Sequence, residues 1–271
     1  MPIVKYRTYK INYTIQGEGQ ALVFLHGFGE DLRMWTDFIP AFENYQIICI
    51  DLPGFGQSDC IPNTSMSIMA KTVKAVFDQE QIKKGILIGH SMGGYVSLAF
   101  AKKHEHLLAG FGLFNSHPYA DTEEKKANRT KSIAFVKKYG VPIYLKQMIP
   151  LLFAKDFAKS NTHLIDKMSY YGSQTSTQGI VNGLKAMRDR SDNSSVLQRT
   201  KVPVLFIVGK KDVAVPLENS LNQLPLPSLS AIHIYEQVGH MGMFEAKKET
   251  IEAIQEFTEL CRYVMKNNIK H

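Results

Sequence analysis

A serine set among glycines, Gly89-His90-Ser91-Met92-Gly93-Gly94, directly follows the apolar run Gly85-Ile86-Leu87-Ile88. A turn of this kind between a buried strand and a helix leaves no room for side chains two positions before and two after the serine. It forces the serine into a strained backbone and pushes its Oγ out at the end of a sheet. Residues 95–101 read as a helix, whose first N–H groups, Met92's among them, are free to stabilise a developing oxyanion. The chemistry implied is that of a nucleophilic serine. The alternative is a plain loop serine, and the rest of the chain must decide between them.

A serine nucleophile needs a base and an orienting acid. The apolar run at 203–208 ends in Gly209-Lys210-Lys211-Asp212, and the next run is followed by Gln237-Val238-Gly239-His240-Met241-Gly242. The order Ser91, Asp212, His240 is the one expected of hydrolases built on a parallel sheet. In that reading His240 takes the hydroxyl proton and returns it to the leaving group, while Asp212 fixes the imidazole tautomer. Asp121, Asp189 and Asp192 are competing acids, but they fall in or beside a helical segment further from His240. Among the other histidines, His26 and His90 are expected to brace loops, and His104, His106, His163, His233 and His271 stand in no motif. The loop His26-Gly27-Phe28-Gly29-Glu30 is expected to turn the Phe28 N–H towards Ser91 as a second oxyanion donor beside Met92. Trp35, His117 and Met241 are the expected substrate contacts.

The elements that must position these groups can be read from the apolar pattern. Residues 4–16 alternate like an antiparallel hairpin. Short continuously apolar runs follow at 21–25, 46–50, 85–88, 110–114, 203–208 and 231–235, as expected of strands buried on both faces. Helical stretches at 67–78, 95–103, 217–224 and 249–267 separate or follow them. Alternating strands and helices predict an α/β fold, a mainly parallel doubly wound sheet whose ligands gather at the strands' carboxyl ends. Residues 118–195 are too long for a structureless loop and are expected to form a helical cap, or lid, inserted into a core made of 1–117 and 196–271.

Composition narrows the field. The 271 residues, 44% of them hydrophobic, suffice for one large core. No apolar run approaches the roughly 20 residues of a membrane span, and the N-terminus lacks an apolar signal segment. Three cysteines (Cys49, Cys60, Cys261) have no metal-ligand spacing, and a reducing cytoplasm fits them. Of the net charge of +7, +6 falls between Pro118 and Ser195. That segment is either a basic rim attracting anionic substrates or an ordinary solvated helical surface. Dispersed lysines without a recognised motif do not support nucleic-acid binding.

Taken together, His26-Gly27-Phe28-Gly29, Asp51-Leu52-Pro53-Gly54-Phe55-Gly56-Gln57-Ser58, Gly89-His90-Ser91-Met92-Gly93-Gly94, Gly209-Lys210-Lys211-Asp212 and Gly239-His240 resemble the α/β-hydrolase superfamily. The likeness is to its small esterase, lactonase and haloperoxidase-like members, and it runs over essentially the whole chain. It implies the α/β-hydrolase fold and a structural role for the 51–58 turn. Serine at 91 departs from haloalkane dehalogenases, which carry aspartate there. Phe28 departs from the multi-glycine oxyanion loop of many lipases, which disfavours bulky tertiary-alcohol esters.

The leading expectation is hydrolysis of a carboxylic ester, lactone or thioester through an acyl-enzyme on Ser91, the carboxylic ester hydrolase class (EC 3.1.1). A small-molecule acyl substrate is implied, with no cofactor and no metal, in a monomer or homodimer. Tyr139, Tyr144, Met148, Phe153, Phe157, Tyr170 and Tyr171 are candidates for an acyl wall in the cap. The same triad would also serve a C–C bond hydrolase, a lyase or an acyltransferase. A ligand receptor with little turnover is a further alternative, disfavoured by the complete set of catalytic groups.

Overall fold

The computed structural model describes residues 2–268. In chain order the elements begin with β1 (Ile3–Tyr6), β2 (Tyr9–Gln16), β3 (Gln20–Leu25) and β4 (Tyr45–Ile50). Next come α1 (Met66–Gln79), β5 (Gly85–His90), α2 (Met92–His104) and β6 (Leu108–Phe114). Six helices follow without an intervening strand: α3 (Glu123–Tyr139), α4 (Val141–Met148), α5 (Lys155–Ser160), α6 (Thr162–Ser173), α7 (Thr177–Arg188) and α8 (Ser194–Arg199). The chain then closes with β7 (Val204–Gly209), α9 (Leu217–Gln223), β8 (Ser230–Tyr235), α10 (Gly242–Glu245) and α11 (Lys247–Asn268).

The eight strands form one sheet in the order β1-β2-β4-β3-β5-β6-β7-β8. β1 and β2 are antiparallel additions at one side, and every pair from β4 to β8 is parallel. All residues of β5, β6 and β7 are buried, so both faces of the sheet are covered there, which is why these strands read as unbroken apolar runs. β8 differs from that expectation. Ile232 and Ile234 are exposed, because β8 is the last strand in the order and one of its faces is left open.

Local chemistry sets the helix limits. Ser65 caps α1 by accepting the Ile68 N–H at 3.3 Å, and Met66, Met69, Ala70, Val73, Val76 and Phe77 recur at helical spacing on its buried side. Thr122 caps α3 in the same way, Glu123 and Glu124 complement its dipole, and Gly140 at φ +85° ends it. α3 buries only Ile133 and Val136, as suits a helix lying over the sheet rather than in its core. The helical stretch between β6 and β7 ends in α8, which packs on α2. Among the described residues, no helix is long and apolar enough to cross a membrane.

The parallel strands bring their carboxyl ends to one edge. Loops leave that edge after Leu25, His90, Phe114, Gly209 and Tyr235, and these five loops carry the candidate chemistry.

Candidate active site

Ser91 lies between β5 and α2 with φ +50° and ψ −113°, a conformation that costs a non-glycine residue roughly 1–3 kcal/mol. The surroundings hold it there. Its N–H donates to the Phe114 carbonyl at 2.9 Å, and its own carbonyl accepts from the Gly94 N–H at 2.9 Å and the Ser116 hydroxyl at 2.8 Å. A Cβ at position 89 would sit 2.3 Å from the Gly93 carbonyl oxygen, and one at position 93 would sit 2.6 Å from that of Leu25. Those contacts explain the glycine spacing. Met92 opens α2, so its N–H has no partner within the helix.

His240 Nδ1 lies 2.7 Å from Asp212 Oδ2, and both side chains are almost wholly buried. Asp212 is also held by the N–H groups of Ala214 (2.8 Å) and Val215 (2.9 Å) and by the Asn115 amide (3.0 Å). Burial alone would raise the Asp212 carboxyl, but the His240 imidazole and these donors hold it below its usual range. The opposite balance applies to His240. Burial would lower it, yet Asp212, Glu30 and Glu245 together push it above an ordinary imidazole. The histidine loop is anchored on the helical segment: the His240 N–H donates to the Leu152 carbonyl at 2.7 Å. Glu245 gathers the N–H groups of Gly239, Met241 and Ala154 within 3.0 Å.

Ser91 and His240 line one cavity of about 100 Å³, with Phe28, Tyr95, Met148 and Leu152 among its walls. A groove of about 500 Å³ near Thr64 and Lys102 is larger, but neither Ser91 nor His240 lines it. One corner of the small cavity is cationic. Arg129, on its wall, pairs with Asp121, which also binds Arg190 Nη1 at 2.6 Å, and the Arg190 guanidinium covers the Tyr95 ring at 4.0 Å. The Lys125 ammonium reaches the carbonyl of Ala214, another wall residue, at 3.4 Å. Two of these three cations, Arg129 and Arg190, share the Asp121 carboxylate.

The structure does not bring every expected residue to this cavity. Trp35 is fully buried among Phe24, Phe38 and Phe114, with ring centroids 5.0, 5.6 and 6.4 Å away. The turn at Leu32–Trp35 folds the indole back into the core, so nearness in sequence to Phe28 did not translate into a substrate contact. Met241 is likewise wholly buried, and His117 lies behind Tyr95 with Nδ1 accepting the Tyr119 N–H at 3.2 Å. Burial and the nearby Arg190 push the His117 imidazole down to about 3. None of the three stands on the cavity wall. Of the aromatic and methionine candidates in the helical segment only Met148 does, whereas Tyr139 and Tyr170 are exposed.

Other groups at the site escaped the sequence reading. Asn115, at φ +48° directly after β6, binds both Asp212 and the Gly239 carbonyl. Glu30, Tyr95 and Arg129 line the cavity, but their neighbours in sequence set none of them apart. The 51–58 turn is structural, as the resemblance implied. Asp51 accepts from the Asn12 amide (2.7 Å) and from the N–H groups of Leu32 (2.8 Å) and Gln57 (2.9 Å).

A family model described as the alpha/beta hydrolase fold matches residues 20–139. The chain is 26% identical over 266 residues to a 2-hydroxy-6-oxononadienedioate/2-hydroxy-6-oxononatrienedioate hydrolase of Burkholderia vietnamiensis, covering 92% of this chain and 90% of that protein. It is 27% identical to a 2-hydroxy-6-oxo-6-phenylhexa-2,4-dienoate hydrolase of Comamonas testosteroni, over 88% and 87% of the two chains. Among solved structures, a thermophilic esterase from Thermogutta terrifontis superposes with a TM-score of 0.90 at 26% identity, covering 96% and 98%. The chain has the α/β-hydrolase fold, and it is similar both to esterases and to hydrolases of carbon–carbon bonds.

Proposed function

We propose that the chain is a serine hydrolase that cleaves a carboxylic ester, lactone or thioester. The observation that carries this reading is the 2.7 Å contact of His240 Nδ1 with Asp212, beside a strained Ser91 in the same small cavity. The carboxylate can only accept, so Nδ1 carries hydrogen and the Nε2 lone pair is free to act as base. Ser91 Oγ attacks the acyl carbon as Nε2 takes its proton. The Phe28 and Met92 N–H groups receive the negative charge, and His240 returns the proton to the leaving alcohol, enol or thiol. Water, activated by the same imidazole, then releases the acid. The helices inserted over the strand ends act as a lid, supplying Arg129, Met148 and Leu152 to the cavity wall.

A second reading is hydrolysis of a C–C bond with the same three residues, and two observations favour it. The curated relatives are named as hydrolases of that kind. The cationic corner at Arg129 also suits a substrate that bears a carboxylate besides the bond to be cut. Turnover measured on neutral chromogenic esters, lactones, thioesters and a vinylogous diketo acid separates the two. Ester or lactone cleavage exceeding diketo acid cleavage supports the first reading, and the reverse order replaces it with the second.

A further inference from the structure

Glu30, on the cavity wall, and His90 behind it are both buried, and they meet the loops that carry Phe28, Ser91 and His240. Glu30 Oε2 accepts the Gly27 N–H at 2.6 Å and stands 3.1 Å from His90 Nδ1. His90 Nε2 stands 2.9 Å from the backbone carbonyl oxygen of His240. A carbonyl oxygen only accepts, so Nε2 carries a hydrogen. Oε2 receives the Gly27 N–H and shares one further hydrogen with His90 Nδ1, so both ring nitrogens of His90 are engaged.

We infer that the hydrogen-bonded pair of His90 and Glu30 is a positioning device for the base, His240. Its two hydrogen bonds tie the loop of Phe28, the strand that presents Ser91 and the loop of His240 into one unit. The groups facing it are few. His26 bonds the Gly27 carbonyl through Nδ1 at 2.7 Å, the Phe114 ring stands edge-on, and the His240 ring lies at a centroid distance of 4.9 Å with Asp212 on its far side. Burial would raise the Glu30 carboxyl, but His90, the Gly27 N–H and His26 hold it low.

The positioning role rests on the proposed function, in which His240 is the base. In Glu30→Gln, kcat is expected to fall about tenfold with KM changed less than twofold, and the acid limb of the pH profile should move. An unchanged kcat and profile in a folded variant would overturn the positioning role. A folded parent protein inactive towards esters, lactones, thioesters and the diketo acid alike would instead count against the proposed function.

Discussion

Asp212 Oδ2 meets His240 Nδ1 at 2.7 Å across 28 positions of chain, and the contact is sealed from water on both sides. Each partner leaves a parallel strand, β7 or β8, at the same edge of the sheet, so their meeting follows from the topology. Burial acts against the charged form of each, and their mutual attraction reverses that in both.

The pH dependence has a definite sign. A base must be unprotonated, so kcat/KM should rise with pH through a His240 value above the ordinary imidazole value of about 6.5. Asp212→Asn removes the largest favourable influence and leaves burial, so the limb should move to lower pH while turnover falls roughly 10³ to 10⁴-fold. A pH–rate profile of both proteins checks this, and an unmoved limb would assign it to another group. The lowered Asp212 stabilises the fold above its unfolded value, and the raised His240 does so below its own. The pair's contribution should therefore be complete between about pH 4 and about pH 6.5, falling off on either side.

Arg129 should discriminate by charge. Arg129→Gln is expected to lower kcat/KM about tenfold, near 1.4 kcal/mol, for an ester carrying a carboxylate, and to leave a neutral ester of equal size almost unchanged. High salt should reduce the gap, because Arg129 is partly exposed. Equal losses for both substrates would reduce the cationic corner to a structural ion pair.

Trp35 should behave as core. Trp35→Ala is expected to cost about 3–5 kcal/mol of stability by leaving a cavity among Phe24, Phe38 and Phe114. The milder Trp35→Phe should lower Tm while leaving KM unchanged for every acyl length tried. A chain-length-dependent KM would return the indole to the substrate site.

The elbow glycines should be intolerant of any side chain. A methyl at position 93 meets main-chain carbonyls that cannot yield, so Gly93→Ala should destabilise the protein by about 1–3 kcal/mol. Chemical denaturation measures it, and a neutral result would mean that the turn relaxes.

Much of this arrangement could be read in the chain. The strands holding Ser91 and Asp212 are buried on both faces, so they appear as unbroken apolar runs, and the polar residue after each marks the edge. Side-chain direction was not legible. Trp35, His117 and Met241 lie near the site in sequence, yet each turns into the core. Glu30, Asn115 and Arg129 became visible only through partners some 8 to 97 positions away. A contact made across the fold leaves no local pattern to find. β8 read as a buried strand because apolarity does not record which strand ends the sheet.

The most direct test is covalent. A fluorophosphonate reacts with an activated serine hydroxyl, and peptide mass spectrometry then locates the adduct. The account predicts a single adduct on the peptide containing Ser91, absent from Ser91→Ala and strongly slowed in His240→Gln. Labelling at another residue, or none in a folded protein, would contradict it.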